Sequence, residues 1–438
     1  MDLRINFQRL RHSKVARASR KTLFHLFLGR DGWPIKFCAP LNSAPLFVKS
    51  SPNIYVHLPF CSSICPHCPY NKILFHPALY EAYRHALLRE LRFHFQSQQR
   101  QAIQTLYFGG GTPSLHPELI GEIILLLKQN LAHNSEIGVE VHPVHATPEF
   151  FERLRTTGVN RISLAIETLH DQTLQFLERG YTSHQARRAV QIAVAAGFDC
   201  VDVNLIYGIP AQEWAEPVKD AIECLESGVD QISAYPLFTF VHTRLGGQVE
   251  RKKVPVSGEF ARLRSQKAIA DVCLREGLER TSVWSYTRAG VSSYSTVTHD
   301  SYIGFGAGAG SKVDASFWFN TFSVKEYSKL EEPKPALMLE LSERLHRFHW
   351  VYWQIYKTSL DLSEYQHKFG RSFEQDFGLL AKCLRLLGWC DSKSNALQVT
   401  ERGALWAHRL QCLYSLTYID KVWEQCRREA WPTEIVLH

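Results

Sequence analysis

Several absences narrow the class of this chain before any motif is considered. No run of about 18 apolar residues, the length a bilayer demands, occurs anywhere in its 438 residues. The apolar patch Leu23–Leu28 is too short to span a membrane or to form a signal core, so no membrane span is expected. Acids are nearly missing from residues 1–35, where Asp2 and Asp31 stand among Arg4, Arg9, Arg11, Lys14, Arg17, Arg20, Lys21 and Arg30. A transit peptide shares that composition; the reading adopted is a basic N-terminal extension, residues 1–49, packed against the main body. Framework spacing is missing from Cys38, Cys200, Cys224, Cys273, Cys383, Cys390, Cys412 and Cys426. A disulfide scaffold is therefore not expected, and a reducing, cytoplasmic setting is.

What is present describes a large, well-packed globular protein. Apolar residues make up 45% and aromatics 12%, too many for a disordered chain. The length exceeds one ordinary domain and suits a large barrel with a smaller appendage. The net charge of +7 is mild and dispersed, which suits an acidic small molecule better than nucleic acid.

The chain is organised around Tyr55-Val-His-Leu-Pro-Phe-Cys61-Ser-Ser-Ile-Cys65-Pro-His-Cys68. Three cysteines spaced C-x3-C-x2-C follow a run, Ile54–Phe60, that reads as a buried strand. Thiolates select zinc, copper(I) or iron–sulfur clusters. Structural zinc normally takes four ligands, and no second C-x2-C pair lies nearby. Three cysteines on a four-iron cube would leave one iron open to a substrate or cosubstrate. A structural metal knuckle and three unrelated core thiols are the bland alternatives.

From residue 50 strands and helices alternate. Strands are expected at Ile54–Phe60, Thr105–Phe108, Ile137–Val141, Arg161–Ile166, Val201–Tyr207 and Gln231–Pro236, each short, apolar and read as covered on both faces. Helices are expected at Pro77–Ser97, Pro117–Leu131, Pro148–Thr156, Ser183–Ala196, Glu216–Ser227 and Gly258–Glu276. Proline opens several of them, and Gly158, Gly197, Gly228 and Gly277 close others. The fold class is α/β: six such units argue for a parallel, barrel-like sheet, whose ligands belong at the C-terminal ends of the strands.

The cysteine spacing after Y-x-H-x-P-F resembles the radical S-adenosylmethionine (SAM) enzymes, in the branch of the oxygen-independent coproporphyrinogen III oxidases (HemN/HemW-type). The resemblance covers residues 50–330 well and the tail loosely. It implies a partial, TIM-like (βα)6 barrel, in agreement with the periodicity, and a [4Fe–4S] cluster on Cys61, Cys65 and Cys68, with SAM on the open iron and Tyr55 among the SAM contacts. Gly109-Gly110-Gly111-Thr112-Pro matches the segment that holds the methionine part of SAM; alone it would be an ordinary tight turn. Glu140, in V-E-V-H-P, matches a SAM-binding glutamate, while His142 departs from the usual Asn/Asp. Glu167 stands where the family has a glutamine, and Asn204 where it has an aspartate. Arg179 fits a further arginine able to pair with a carboxylate; a surface arginine is the plain alternative. His67 replaces an aromatic residue before Cys68, where it either bonds a sulfur or is exposed. Tyr70 stands where the decarboxylases carry an extra cysteine.

The glycine-rich stretch Tyr302–Lys312 corresponds to a segment whose flexible backbone lines the site. Tyr294–Asp300 lacks the H-N-x-x-Y-W phrase of the haem-chaperone relatives, which counts against haem trafficking. Residues 335–438 read as a separate, mostly helical domain, winged-helix-like from Leu379 through the hairpin Asp391–Ala396. No basic stripe lines the helix before the wing, so a substrate-covering lid is preferred to DNA binding. His346, His349, Trp350 and Trp353 read as amphipathic core in preference to a haem site. The resemblance thus implies reductive cleavage of SAM to a 5′-deoxyadenosyl radical, fed by a flavodoxin- or ferredoxin-type donor, with a tetrapyrrole as candidate small-molecule substrate. Methyl or methylene transfer with a second SAM is the alternative, and a non-catalytic haem or cluster carrier the alternative of another class.

Overall fold

The computed structural model describes residues 34–40, 53–96, 102–293 and 301–437, with Ala18 and Thr22. Most of the basic extension and the Tyr294–Asp300 phrase lie outside the described residues.

Six parallel strands run side by side in chain order: Asn53–Leu58, Ile103–Gly110, Leu131–Val141, Arg161–Glu167, Cys200–Tyr207 and Gln231–Pro236. A short parallel strand, Ile303–Phe305, pairs with the first of them. Antiparallel strands Ser285–Arg288 and Leu278–Arg280 extend the opposite edge. The hydrogen-bonded sheet stays open between those two edges, as a partial barrel does. Helices Pro77–Gln96, Pro117–Leu127, Pro148–Thr156, Ser183–Ala195, Glu216–Glu226 and Glu259–Arg275 fall where proline starts and apolar periodicity place them. Gly158, Gly197, Gly228 and Gly277 all take positive φ, between 72° and 102°, the left-handed turn that closes a helix. The largest difference in boundaries follows the second helix, which ends at Leu127: Leu131, expected to end it, begins the third strand, expected only from Ile137.

The strands also differ from expectation in their faces. They are not apolar on both sides. On the fourth and fifth, Ile162, Leu164, Val201, Val203 and Leu205 belong to the main core, while Ser163, Asp202 and Asn204 bond to one another on the other face. A period of two separates the faces: helices cover the apolar one, and the polar one forms the barrel lumen.

The glycine-rich segment crosses the first strand in tight packing. Gly306 has φ 99°, and a Cβ there would sit 2.3 Å from Tyr83 Oη and 2.7 Å from the His57 carbonyl. Buried Glu90 fastens it, accepting from Gly306 N and Asn320 Nδ2, each at 2.9 Å, and from Tyr327.

A second, five-stranded sheet joins Gly310–Val313, Ser316–Phe319, Leu337–Glu340, Ile35–Cys38 and Glu434–Leu437, so pairing runs across residue 335. Beyond it come helix Glu343–Tyr356, strand Ser359–Asp361, helices Leu362–Phe369 and Phe373–Leu386, and the hairpin Cys390–Lys393/Ala396–Val399. That order, with the three strands forming one small sheet, is a winged helix. Trp350 is buried in its core, and Trp353 donates to His349 at 3.0 Å. A long helix, Glu401–Arg428, follows.

Gly306→Ala combines forbidden φ with a backbone clash and should lower the thermal unfolding midpoint by several degrees. Gly277→Ala, at φ 79° with nothing within 4 Å, carries only the strain of about 1 kcal/mol and should shift it far less. Equal shifts by differential scanning calorimetry would contradict the tight crossing.

Candidate cluster and SAM site

The first strand leads through Phe60–Cys61 into the cysteine loop. The second strand ends in the glycine triplet beside it. Gly111 N donates to Leu58 O at 2.8 Å and Thr112 N to Phe60 O at 2.9 Å. Only glycine permits this approach. A Cβ on Gly110 (φ 131°) would lie 2.8 Å from Leu58 backbone, and one on Gly111 2.7 Å from Pro59 O and 2.9 Å from Cys61 Sγ. The triplet is therefore a packed crossing, more than a turn.

Cys61 is buried, and burial pushes its thiol up to about 11 against a hydrogen bond from the Thr112 side chain. Burial also raises Cys68. The charges of Cys65 and Cys68 are felt at Cys61, so the three thiols share one neighbourhood. Among the described residues no three His, Cys, Asp or Glu converge on a single-ion site. Thiol identity, burial and neighbouring cations fit a cluster held by Cys61, Cys65 and Cys68. Lys72 bonds the Cys68 carbonyl, and Arg179 Nη1 lies 3.1 Å from Cys65 Sγ.

The Arg179 side chain is only 7% exposed, so the surface-arginine reading fails. It also donates to Ala165 O at 3.2 Å and approaches Glu167 Oε1 at 3.7 Å. Burial raises the Glu167 pKa and the Arg179 charge opposes that rise. Glu167 takes φ 64°, rare for a residue with a Cβ. The register with the next strand slips between Leu164 and Glu167, so a bulge turns this side chain toward Arg179.

Glu140 sits below the triplet. It accepts from Tyr107 Oη at 2.7 Å, and a Cβ on Gly109 would lie 3.1 Å from its Oε1. Burial raises its pKa to about 7, opposed by hydrogen bonds from Tyr107 and the Gly110 backbone. Tyr55 Oη lies 2.8 Å from His57 Nδ1, and His57 Nε2 2.7 Å from the Asn71 carbonyl. A carbonyl only accepts, and burial holds His57 near 4, neutral. Its proton is thus on Nε2, and Tyr55 donates to Nδ1. Asn204 Nδ2 donates to Ser163 Oγ at 2.8 Å. His67 is buried, its Nδ1 without a partner; the exposed reading fails.

Sequence reasoning missed Tyr107, Ser163 and Asp202. The alternation in Val201-Asp-Val-Asn204 was the available signal. A cavity of about 370 Å³, lined by Arg155, Asn160, Gly197 and Asp199, opens near the N-terminal ends of the fourth and fifth strands and contains none of the site residues.

A barrel of parallel strands with a cysteine loop after the first and a glycine triplet after the second defines the radical SAM class, and the family model for the radical SAM superfamily matches residues 55–223. The chain is 28% identical over 332 residues to the heme chaperone HemW of Lactococcus lactis, covering 74% of this chain and 86% of that protein. It is 29% identical over 281 residues to the mitochondrial radical S-adenosyl methionine domain-containing protein 1 of Bos taurus, 62% of either chain. The coproporphyrinogen III oxidase HemN of Escherichia coli has the same fold, with a TM-score of 0.71 at 20% identity over 86% of this chain and 94% of that one. The chain thus carries a radical SAM domain over residues 55–223 and is similar to the HemW and HemN proteins. Its cofactors are those of the radical SAM domain, a [4Fe–4S] cluster and SAM. Among the described residues no helix is long and apolar enough to cross a membrane.

In cluster-free protein at pH 8, Cys61 should alkylate with iodoacetamide at least about tenfold more slowly than exposed Cys38, because burial raises its thiol. Peptide mass spectrometry reads both; equal rates would contradict the packed loop.

Proposed function

We propose that this chain cleaves SAM reductively at the cluster held by Cys61, Cys65 and Cys68, and that its substrate is a tetrapyrrole. The observation that carries the site is the crossing of the glycine triplet on the cysteine loop with Glu140 directly beneath it. When bound, the cluster and SAM supply a 5′-deoxyadenosyl radical able to abstract hydrogen from carbon. The chain's residues bind, orient and shield. Glu140 takes the ammonium of SAM, its position fixed by Tyr107. Gly110, Gly111 and Thr112 offer backbone groups to the methionine part. Asn204 accepts from SAM, Tyr55 packs beside it, and Arg179 braces Cys65 and Glu167. The tetrapyrrole reading is supported by the HemW relatives, named as heme chaperones, and by the shared fold of a coproporphyrinogen III oxidase. The electron donor is of flavodoxin or ferredoxin type, and the setting a reducing cytoplasm.

A second reading, a haem carrier without turnover, is favoured by the HemW match across 74% of the chain. Methyl transfer with a second SAM is the other enzymatic outcome. Anaerobic reconstitution followed by dithionite and SAM separates them. 5′-Deoxyadenosine is expected from the wild type, and none from Cys65→Ala; S-adenosylhomocysteine alongside it would mark a methyltransferase. Stoichiometric haem binding without 5′-deoxyadenosine would leave the carrier.

The Glu140 pKa near 7 sets a pH profile. Its carboxylate is ionised above that pH and neutral below, and an ammonium needs the ionised form. SAM affinity, by equilibrium dialysis, should fall as pH drops below about 7, approaching tenfold per unit. Glu140→Gln should weaken binding about 10- to 100-fold and flatten the profile; an unchanged profile would remove Glu140 from the site.

A further inference from the structure

Asp202 lies two residues before Asn204 on the same strand face, 1% exposed and without a role so far. Its Oδ2 lies 2.5 Å from Ser163 Oγ and its Oδ1 2.8 Å from Ser233 Oγ. Ser233 in turn takes a hydrogen bond from Gln231 Nε2 at 3.1 Å. Ser163 stands opposite Asp202 on the neighbouring strand and also meets Asn204 Nδ2 at 2.8 Å.

Counting protons settles the directions. A carboxylate accepts only, and a serine hydroxyl has one proton to give. Ser163 gives its proton to Asp202, so toward Asn204 it has lone pairs alone. Asn204 must therefore turn its NH2 end to Ser163 and its Oδ1 away. Without that constraint either end of an amide fits such a site.

We propose that Asp202, acting through Ser163, is a positioning residue that fixes the Asn204 side chain as an obligate hydrogen-bond acceptor toward the ribose hydroxyls of SAM. The inference rests on the SAM reading of the site. SAM offers as donors its ammonium, its adenine amine and its ribose hydroxyls; the ammonium falls to Glu140. Of the other two, hydroxyls suit a neutral acceptor deep in the lumen, since two adjacent ones can share a single carbonyl oxygen. Burial raises the Asp202 pKa to about 6, opposed by the hydrogen bonds from Ser163, Ser233 and Gln231, which leaves the group mainly ionised at pH 7.

The test compares S-adenosylhomocysteine with its 2′,3′-dideoxy analogue by calorimetry on the reconstituted protein, a binding measurement independent of turnover. Wild type should prefer the hydroxylated ligand by about tenfold, the worth of one or two neutral hydrogen bonds. Ser163→Ala and Asp202→Asn should reduce that preference to under about threefold with iron content unchanged. The exchange Asp202→Asn/Asn204→Asp should restore it, because a carboxylate at 204 accepts whichever way it turns. Full preference in both single variants would overturn the positioning role. Wild-type binding without preference would overturn the ribose assignment while leaving the SAM site standing, and no binding at all would remove the SAM reading and this inference together.

Discussion

The structure depends on two backbone strands approaching closer than side chains allow. Gly109–Gly111 lies against Leu58–Cys61, with the Gly111 N–H donating to the carbonyl of Leu58 and the next one, of Thr112, to that of Phe60. Everything at the site inherits its position from that contact. It sets the exit of the cysteine loop and places Cys61 Sγ where a Gly111 side chain would be. It also roofs Glu140. Adding one methyl group here would move three functions at once.

The loop's far end is held by the last helix, Glu401–Arg428. Arg427 Nη2 donates to Pro69 O at 2.6 Å and to Tyr70 O at 2.5 Å. His242 bridges, with Nδ1 2.7 Å from Asp420 and Nε2 3.2 Å from Pro69 O. Since Pro69 O only accepts, His242 carries a proton on Nε2 toward it. The last helix is thereby tied to the residues just after Cys68, and Trp423 packs near Tyr70. The anchor lies in Glu401–Arg428, the helix that follows the winged helix. Tyr70 fills the place where the decarboxylases have a cysteine and serves this joint through its carbonyl.

The barrel was legible because its signals are local. Proline starts, positive-φ glycine stops and apolar runs are written within a dozen residues of each helix and strand. Cys61, Cys65 and Cys68 were legible for the same reason. The partners of Arg179 were not: Cys65 lies 114 positions away, and only the fold brings the two together. Tyr107 was hidden differently, since in Thr105–Phe108 it reads as another strand aromatic until Glu140 appears opposite it. The glycine-rich stretch suggested flexibility, yet Gly306 and Gly308 are glycines because Tyr83, His57 and Asn71 leave no room. Composition cannot distinguish a loose segment from a crowded one.

Two departures from the family pattern, Glu167 for glutamine and Asn204 for aspartate, make sense as a pair. One carboxylate is gained on the fourth strand and one lost on the fifth, so the count at these two strand ends stays the same. The gained carboxylate stands 3.7 Å from Arg179, and Coulomb attraction between buried opposite charges is strong at that range. Its field is therefore largely cancelled locally, on the side nearest Cys65. On the proposed reading, the negative charge that remains for a cationic cosubstrate is that of Glu140, which accepts from Tyr107, with Asp202 behind Ser163. Asn204 can then be neutral without leaving a sulfonium unbalanced. On the proposed reading the direction of attraction changes: the charges are those of Glu140 on the third strand and of Asp202, deeper on the fifth, and Asn204 at the end of the fifth supplies a hydrogen bond in place of a charge.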